Sequence, residues 1–117
     1  MHEEETLQTL CVNWFKTKYP ALSRLLVHVP NERKCSVQRG AVLRGMGVTA
    51  GVADLILFVA RHPHHGLHIE MKTPKGRVRD SQKEWGNLVE AQGYKYTICR
   101  SLQDFQSIIN GYLAERL

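Results

Sequence analysis

The sequence predicts an α/β domain, a central mixed β-sheet flanked by α-helices, and three features carry that expectation. Apolar residues recur at helical spacing at both ends of the chain, two apolar runs of strand length lie close together in the middle, and a capped helix then leads into a further strand. From Glu3 to Lys18, the residues Leu7, Leu10, Cys11, Trp14 and Phe15 repeat with helical period; three glutamates suit the electropositive first turn, and Tyr19-Pro20 stops the pattern. "RLLVHVP" from Arg24 reads as a short strand ending at Pro30. Ser36 to Met46 reads as a short helix with Ser36 as its cap and Gly47 as its stop, weakened by Gly40. "DLILFVA" from Asp54 and "GLHIEMK" from Gly66 read as the strands of an antiparallel hairpin, with Pro63 and Gly66 in the connection "RHPHHG". Asp54 and Lys72 then share one end of the hairpin, although a single bulge would flip the facing. "KTPKGRVRD" is a basic, turn-rich loop, and Ser81 with Glu84 marks a capping box that opens a helix to about Gln92, ended by Gly93. "YKYTIC" is another strand, and Ser101 with Asp104 repeats the cap signature before a closing helix carrying Leu102, Phe105, Ile108, Ile109, Tyr112 and Leu113.

The 117 residues, 43% of them hydrophobic, suffice for one compact core, so residues 1–117 are expected to form a single domain. No apolar run approaches the roughly 20 residues of a membrane helix, and the opening "MHEEE" is no secretory leader; a soluble protein in the cytoplasm of a bacterial or phage-infected cell is expected. Cys11, Cys35 and Cys99 are odd in number and widely spaced, which indicates neither a disulfide framework nor a zinc cage. The formal net charge of +5 favours a polyanionic partner, and its distribution says more: Arg33, Lys34, Arg39, Arg44, Lys75, Arg77 and Arg79 crowd the middle of the chain.

Glu70 and Lys72 stand two residues apart on an otherwise apolar strand, so both point to one face. With Asp54 they put two carboxylates and an ammonium at one end of the hairpin. Two crowded carboxylates repel unless a cation lies between them, and oxygen ligands suit a hard ion such as Mg²⁺ or Mn²⁺, to which the Met71 carbonyl can add a third oxygen. A solvated edge strand with a cross-strand ion pair is the plainer reading of the same three residues. Apolar neighbours on both strands argue for a central position, a basic loop follows the lysine, and Gln82 opens a helix whose amides favour an anion such as phosphate.

Together with "EETLQ", "VPNE", "GVADL", "HGLHIEMK", "SQKEW" and "GYKYTICRS", taken in this order, the chain resembles the VRR-NUC family of the PD-(D/E)xK nuclease superfamily over nearly its whole length. The resemblance implies a restriction-endonuclease-like core and metal-dependent phosphodiester hydrolysis. It implies Asp54, Glu70 and Lys72 as catalytic acids and lysine, Gln82 as the accompanying glutamine, and Glu4 as a further acid and metal ligand. Glu3 and Glu5 are rivals for that last place, but only Glu4 stands four residues before Gln8. Implied as well are Mg²⁺ as the metal with Mn²⁺ as a substitute, no small-molecule cofactor, a DNA substrate of branched or flapped form, products with a 5′-phosphate and a 3′-hydroxyl, and a homodimer. Arg39, Arg44, Lys75, Arg77 and Arg79 are the candidate backbone contacts. Ala53 stands where the family usually has proline, and "PNERKCSVQRG" replaces a glycine-rich stretch.

Other signals carry less. His62, His64 and His65 sit in a polar turn without an evident fourth ligand, and His28 and His68 read as core or edge residues. "GMGVTAG" has no preceding strand and no lysine-threonine pair, so no nucleotide site is expected there. Trp14 reads as core, and Trp85 as core in preference to a base-stacking platform. The leading expectation is a metal-dependent DNA endonuclease, and its rival is a non-catalytic nucleic-acid-binding module with a nuclease-like fold.

Overall fold

The structure, a computed structural model, describes residues 3–30 and 36–114. The chain runs through α1 (Glu3–Lys18), a 3-10 turn (Pro20–Leu25), β1 (Leu26–His28), α2 (Val37–Gly45), β2 (Leu55–Leu57), β3 (Leu67–Met71), α3 (Asp80–Ala91), β4 (Lys95–Cys99) and α4 (Leu102–Ala114). The strands form one mixed sheet in the order β1-β2-β3-β4, antiparallel up to β3 and parallel between β3 and β4. The expected fold class and hairpin are present. No helix among the described residues is long and apolar enough to cross a membrane.

Local chemistry moves three boundaries. Proline at its first position bends Arg24 and Leu25 into the 3-10 turn, so the first strand starts only at Leu26. The run from Asp54 pairs as a strand only over Leu55–Leu57. Helix α3 starts ahead of Ser81: Arg79 is its cap residue, and the Arg79 N–H donates to Gln82 Oε1 at 2.8 Å, so Gln82 rather than Glu84 closes the first turn. The other two caps hold, with Ser36 Oγ accepting from the Arg39 N–H at 3.0 Å and Ser101 Oγ from the Asp104 N–H at 3.0 Å.

The sheet has two unlike faces. Leu55, Leu57, Leu67, Ile69, Met71 and Cys99 alternate onto one of them and pack with Cys11 and Phe15 of α1 and Phe105, Ile109 and Tyr112 of α4. That layer is the hydrophobic core. Burial raises the thiol pKa of Cys11 to about 11 and of Cys99 to about 12, so both are inert core residues; Cys35 lies outside the described residues. His68, Glu70 and Tyr96 belong to the opposite face, which α3 covers through Gln82, Trp85 and Gly86. With both faces covered, every residue of β3 is buried.

The hairpin register pairs Leu55 with Ile69 and Leu57 with Leu67. Continued by one residue, it sets Asp54 across from Glu70. The loop before Asp54 reaches α3 through Gly51, whose φ is +85° and whose added Cβ would meet the Ser81 carbonyl oxygen at 2.2 Å. Only glycine permits both the left-handed backbone and that approach. Gly51→Ala is therefore expected to cost about 2 kcal/mol or more in stability, measured by denaturant unfolding, because neither contact partner is a flexible side chain that can give way.

Candidate active site

Four residues expected to act together are brought together. Asp54, Glu70, Lys72 and Gln82 are all buried, with Glu70 only 2% exposed. A charge costs free energy to bury unless something answers it, so the partners of each side chain decide what the cluster can do.

Asp54 is fixed at both ends. Its carboxylate Oδ2 accepts from the Met71 N–H at 2.8 Å, across the mouth of the hairpin. Its carbonyl oxygen accepts from the Val29 N–H at 2.8 Å and lies 2.9 Å from His28 Nδ1. His28 Nδ1 is also 2.9 Å from the Gln8 side-chain amide of α1. The contact with Gln8 is through its Nε2, so the ring nitrogen lies between an amide N–H donor and a carbonyl acceptor. His28 and Gln8 thus tie the first helix to the backbone of Asp54.

Glu70 is held less completely. Its Oε2 accepts from Gln82 Nε2 at 2.9 Å, and Gln82 Oε1 in turn takes the Arg79 N–H. Its Oε1 is buried without a partner. Burial first, then a hydrogen bond and the charge of Asp54, drive the Glu70 pKa far above the ordinary carboxylate range; Lys72 opposes the rise and Glu4 adds to it. A proton shared with Asp54, or a cation between the two carboxylates, would answer Oε1. Tyr96 Oη is a second buried atom without a partner, and burial with the charges of Glu70 and Asp54 pushes its pKa up too.

The metal fit follows from this donor set. Among the described residues no three His, Cys, Asp or Glu side chains gather closely enough to cage a metal. Mg²⁺ asks for less: it keeps several waters and takes one or two carboxylates. Asp54 and the unanswered Oε1 of Glu70 meet that demand, and a zinc-type cage is the poorer match.

Glu4, Lys72, Arg77 and Arg79 line a cavity of about 550 Å³ beside the acids. Glu3 and Glu5 are exposed, whereas Glu4 is half-buried at that cavity, so the helix turns the acid chosen by its spacing from Gln8 toward the site. The remaining basic residues divide. Lys75 sits in the exposed turn that the Gly76 N–H closes onto the Thr73 carbonyl, and Arg39 lies exposed on α2. Arg44 lines a separate groove between α2 and α3. Arg100 was not singled out by the sequence: its Nη1 donates to the carbonyls of Thr73 at 2.8 Å, Pro74 at 3.3 Å and Gly76 at 2.7 Å, and so clamps the basic loop. No spacing rule points to it, because its partners are backbone oxygens of a distant loop. His28 escaped for the same reason.

His68 is a fixed element of the sheet face, with Nδ1 accepting from Trp85 Nε1 at 3.2 Å; burial lowers its pKa and keeps the ring neutral at physiological pH. His64 packs near Tyr112 and His65 near Tyr94, and Ala53 is wholly buried. Residues 31–35, which hold part of the departure from the glycine-rich stretch, lie outside the described residues.

A family model described as the VRR-NUC domain matches residues 2–103. The chain belongs to the VRR-NUC family. A solved structure titled "VRR_NUC domain protein" superposes with a TM-score of 0.86 at 28% identity, covering 99% of this chain and 92% of that one. No curated protein matches. Membership makes this VRR-NUC chain a nuclease-like domain.

One consequence concerns stability. Glu70→Gln gives residue 70 a donor for Asp54 without the cost of protonating a buried carboxylate on folding, so the metal-free variant is expected at neutral pH to melt about 3–6 °C above the wild type, roughly 1 kcal/mol for a domain of this size. Mg²⁺ or Mn²⁺ should raise the melting temperature of the wild type and leave Glu70→Gln unmoved. Calorimetry with and without EDTA checks both.

Proposed function

We propose that the chain is a Mg²⁺-dependent DNA endonuclease acting on structured or branched DNA in replication, repair or recombination. One observation carries the reading: the buried Glu70 Oε1 without a donor, set across from Asp54. A domain selected only for stability, or only for binding phosphate, gains nothing from two facing buried carboxylates.

Asp54 and Glu70 would hold the ion, with Glu4 at the outer edge. The Met71 N–H points to the Asp54 carboxylate, and in an extended strand the N–H and C=O of one residue face the same edge, which aims the Met71 carbonyl at that side too. Bound there, Mg²⁺ supplies Lewis-acid polarisation of a phosphoryl oxygen and a more acidic bound water. Lys72, at the cavity wall, would orient the attacking water and offset charge developing on the phosphoryl oxygens. Gln82 keeps Glu70 in one rotamer by holding Oε2, which leaves Oε1 facing inward. Water attack at phosphorus with release of the 3′ oxygen gives a 5′-phosphate and a 3′-hydroxyl. Arg77 and Arg79, which line the cavity with Lys72, would hold the phosphate being cut, and Lys75, Arg39 and Arg44 would contact the strand further along. A homodimer would present two such sites to two strands.

Cleavage of labelled linear, flap and four-way DNA with Mg²⁺, Mn²⁺ or EDTA tests the reading. Asp54→Ala, Glu70→Ala and Lys72→Ala are each expected to lower the rate by about 100-fold or more. Full Mg²⁺-dependent activity in Glu70→Ala would sink the assignment, and salt-sensitive binding without divalent-dependent cutting would favour the binding module.

The Arg100 clamp yields a separate expectation. Arg100→Ala should raise KM or Kd for DNA several-fold through a loosened 73–76 loop and lower kcat less, whereas Arg100→Lys, able to reach one carbonyl, should recover part of the affinity. Equal losses of kcat and affinity would place Arg100 in the general stability of the fold instead.

A further inference from the structure

A groove of about 650 Å³ lies between α2 and the start of α3, and the catalytic reading does not use it. Its walls pair apolar and cationic side chains: Leu43, Met46, Val48 and Trp85 with Arg44 and Arg79. Helix α2 buries only Gly40 against the rest of the chain, and Met46 is 74% exposed, so this apolar surface has no partner within the described residues. Trp85 is fixed in orientation, because its Nε1–H donates to His68 Nδ1, while the indole still lines the groove. The two cavities share one lining residue, Arg79, and Gln82, whose amide holds Glu70, is part of the groove wall.

We infer that this groove binds one unpaired nucleotide of the DNA strand adjacent to the phosphate held at Glu70. Resting on the nuclease reading for the identity of the polymer, the assignment of a base and its phosphate comes from the groove itself. An aromatic ring held rigidly by its own N–H, beside a flexible methionine, offers a stacking surface that any base can use. Arg44 and Arg79 answer the phosphates on either side of such a base, and the shared Arg79 puts the next phosphate in the smaller cavity. A duplex cannot place a paired base in the groove without unstacking it, so the groove would favour strands with a base already unpaired, as at bulges, flaps and junctions.

The test compares a short duplex carrying one unpaired thymidine with the same duplex carrying an abasic spacer at that position, both in EDTA so that nothing is cut. The wild-type protein is expected to bind the base-bearing duplex about tenfold more tightly. In Trp14→Phe, which leaves Trp85 as the sole indole, only that duplex should quench the emission. Val48→Glu should remove the difference; if it fails to fold, the wild-type comparison still decides. Equal affinity for the two duplexes, or no binding of either, overturns the inference. It is overturned as well if the duplexes bind alike while Met46→Glu splits a dimer in sedimentation, which would make the groove a chain-to-chain surface. Discrimination of the base without any Mg²⁺-dependent cleavage by the wild type would uphold the groove and refute the nuclease reading; cleavage without discrimination would do the reverse.

Discussion

Two carboxylates facing each other across one end of a hairpin are the constraint from which most of the domain follows. Asp54 and Glu70 repel, and both are buried. The fold tolerates the pair because donors are turned to it, the Met71 N–H to Asp54 and the Gln82 amide to Glu70, while the Lys72 charge opposes the rise in the Glu70 pKa. One oxygen is still left without a donor. A core that merely needed filling would replace both acids by apolar residues of similar size and become more stable.

Holding such a pair requires stiffness on every side, and the architecture supplies it. The core layer of Leu55, Leu57, Leu67, Ile69 and Met71 against α1 and α4 fixes the hairpin, so the acids on the other face ride on a packed surface. Helix α3 then closes over that face through Gln82 and, one turn on, Trp85 and Gly86. Gly51 and Gly86 are the points of closest approach, where a Cβ would strike Ser81 or the Tyr96 ring. The acids therefore keep their positions through the packing of three separate layers, and not through local hydrogen bonds alone.

How far this was legible in the sequence depends on the range of the interaction. The elements, the hairpin and the facing of Glu70 and Lys72 follow from periodicities of two and 3.6, which act over neighbouring residues. The caps at Ser36 and Ser101 were equally local. At α3 the same rule misled, because Ser81 with Glu84 matches the capping pattern while tertiary placement of Gln82 made Arg79 the cap residue. Arg100 and His28 were invisible for a different reason. Each acts on backbone oxygens, of Thr73, Pro74 and Gly76 or of Asp54, and a backbone atom leaves no trace in the identity of its residue.

Gln82 shows how one side chain can serve both the buried acids and the groove. Its carbonyl oxygen accepts from the Arg79 N–H and starts α3, its amide nitrogen holds Glu70, and its side also forms part of the groove wall. An amide can do this because it has a donor and an acceptor at opposite corners of a rigid plane; a glutamate there would set a third carboxylate against Glu70, and a leucine would leave both neighbours unpaired. Anything that presses on the start of α3 from the groove side therefore bears on the rotamer of Glu70 through a single hydrogen-bonded plane. On the proposed reading, a strand seated in the groove and a phosphate seated at the acids would both bear on Gln82, which would couple recognition to cleavage without any moving part.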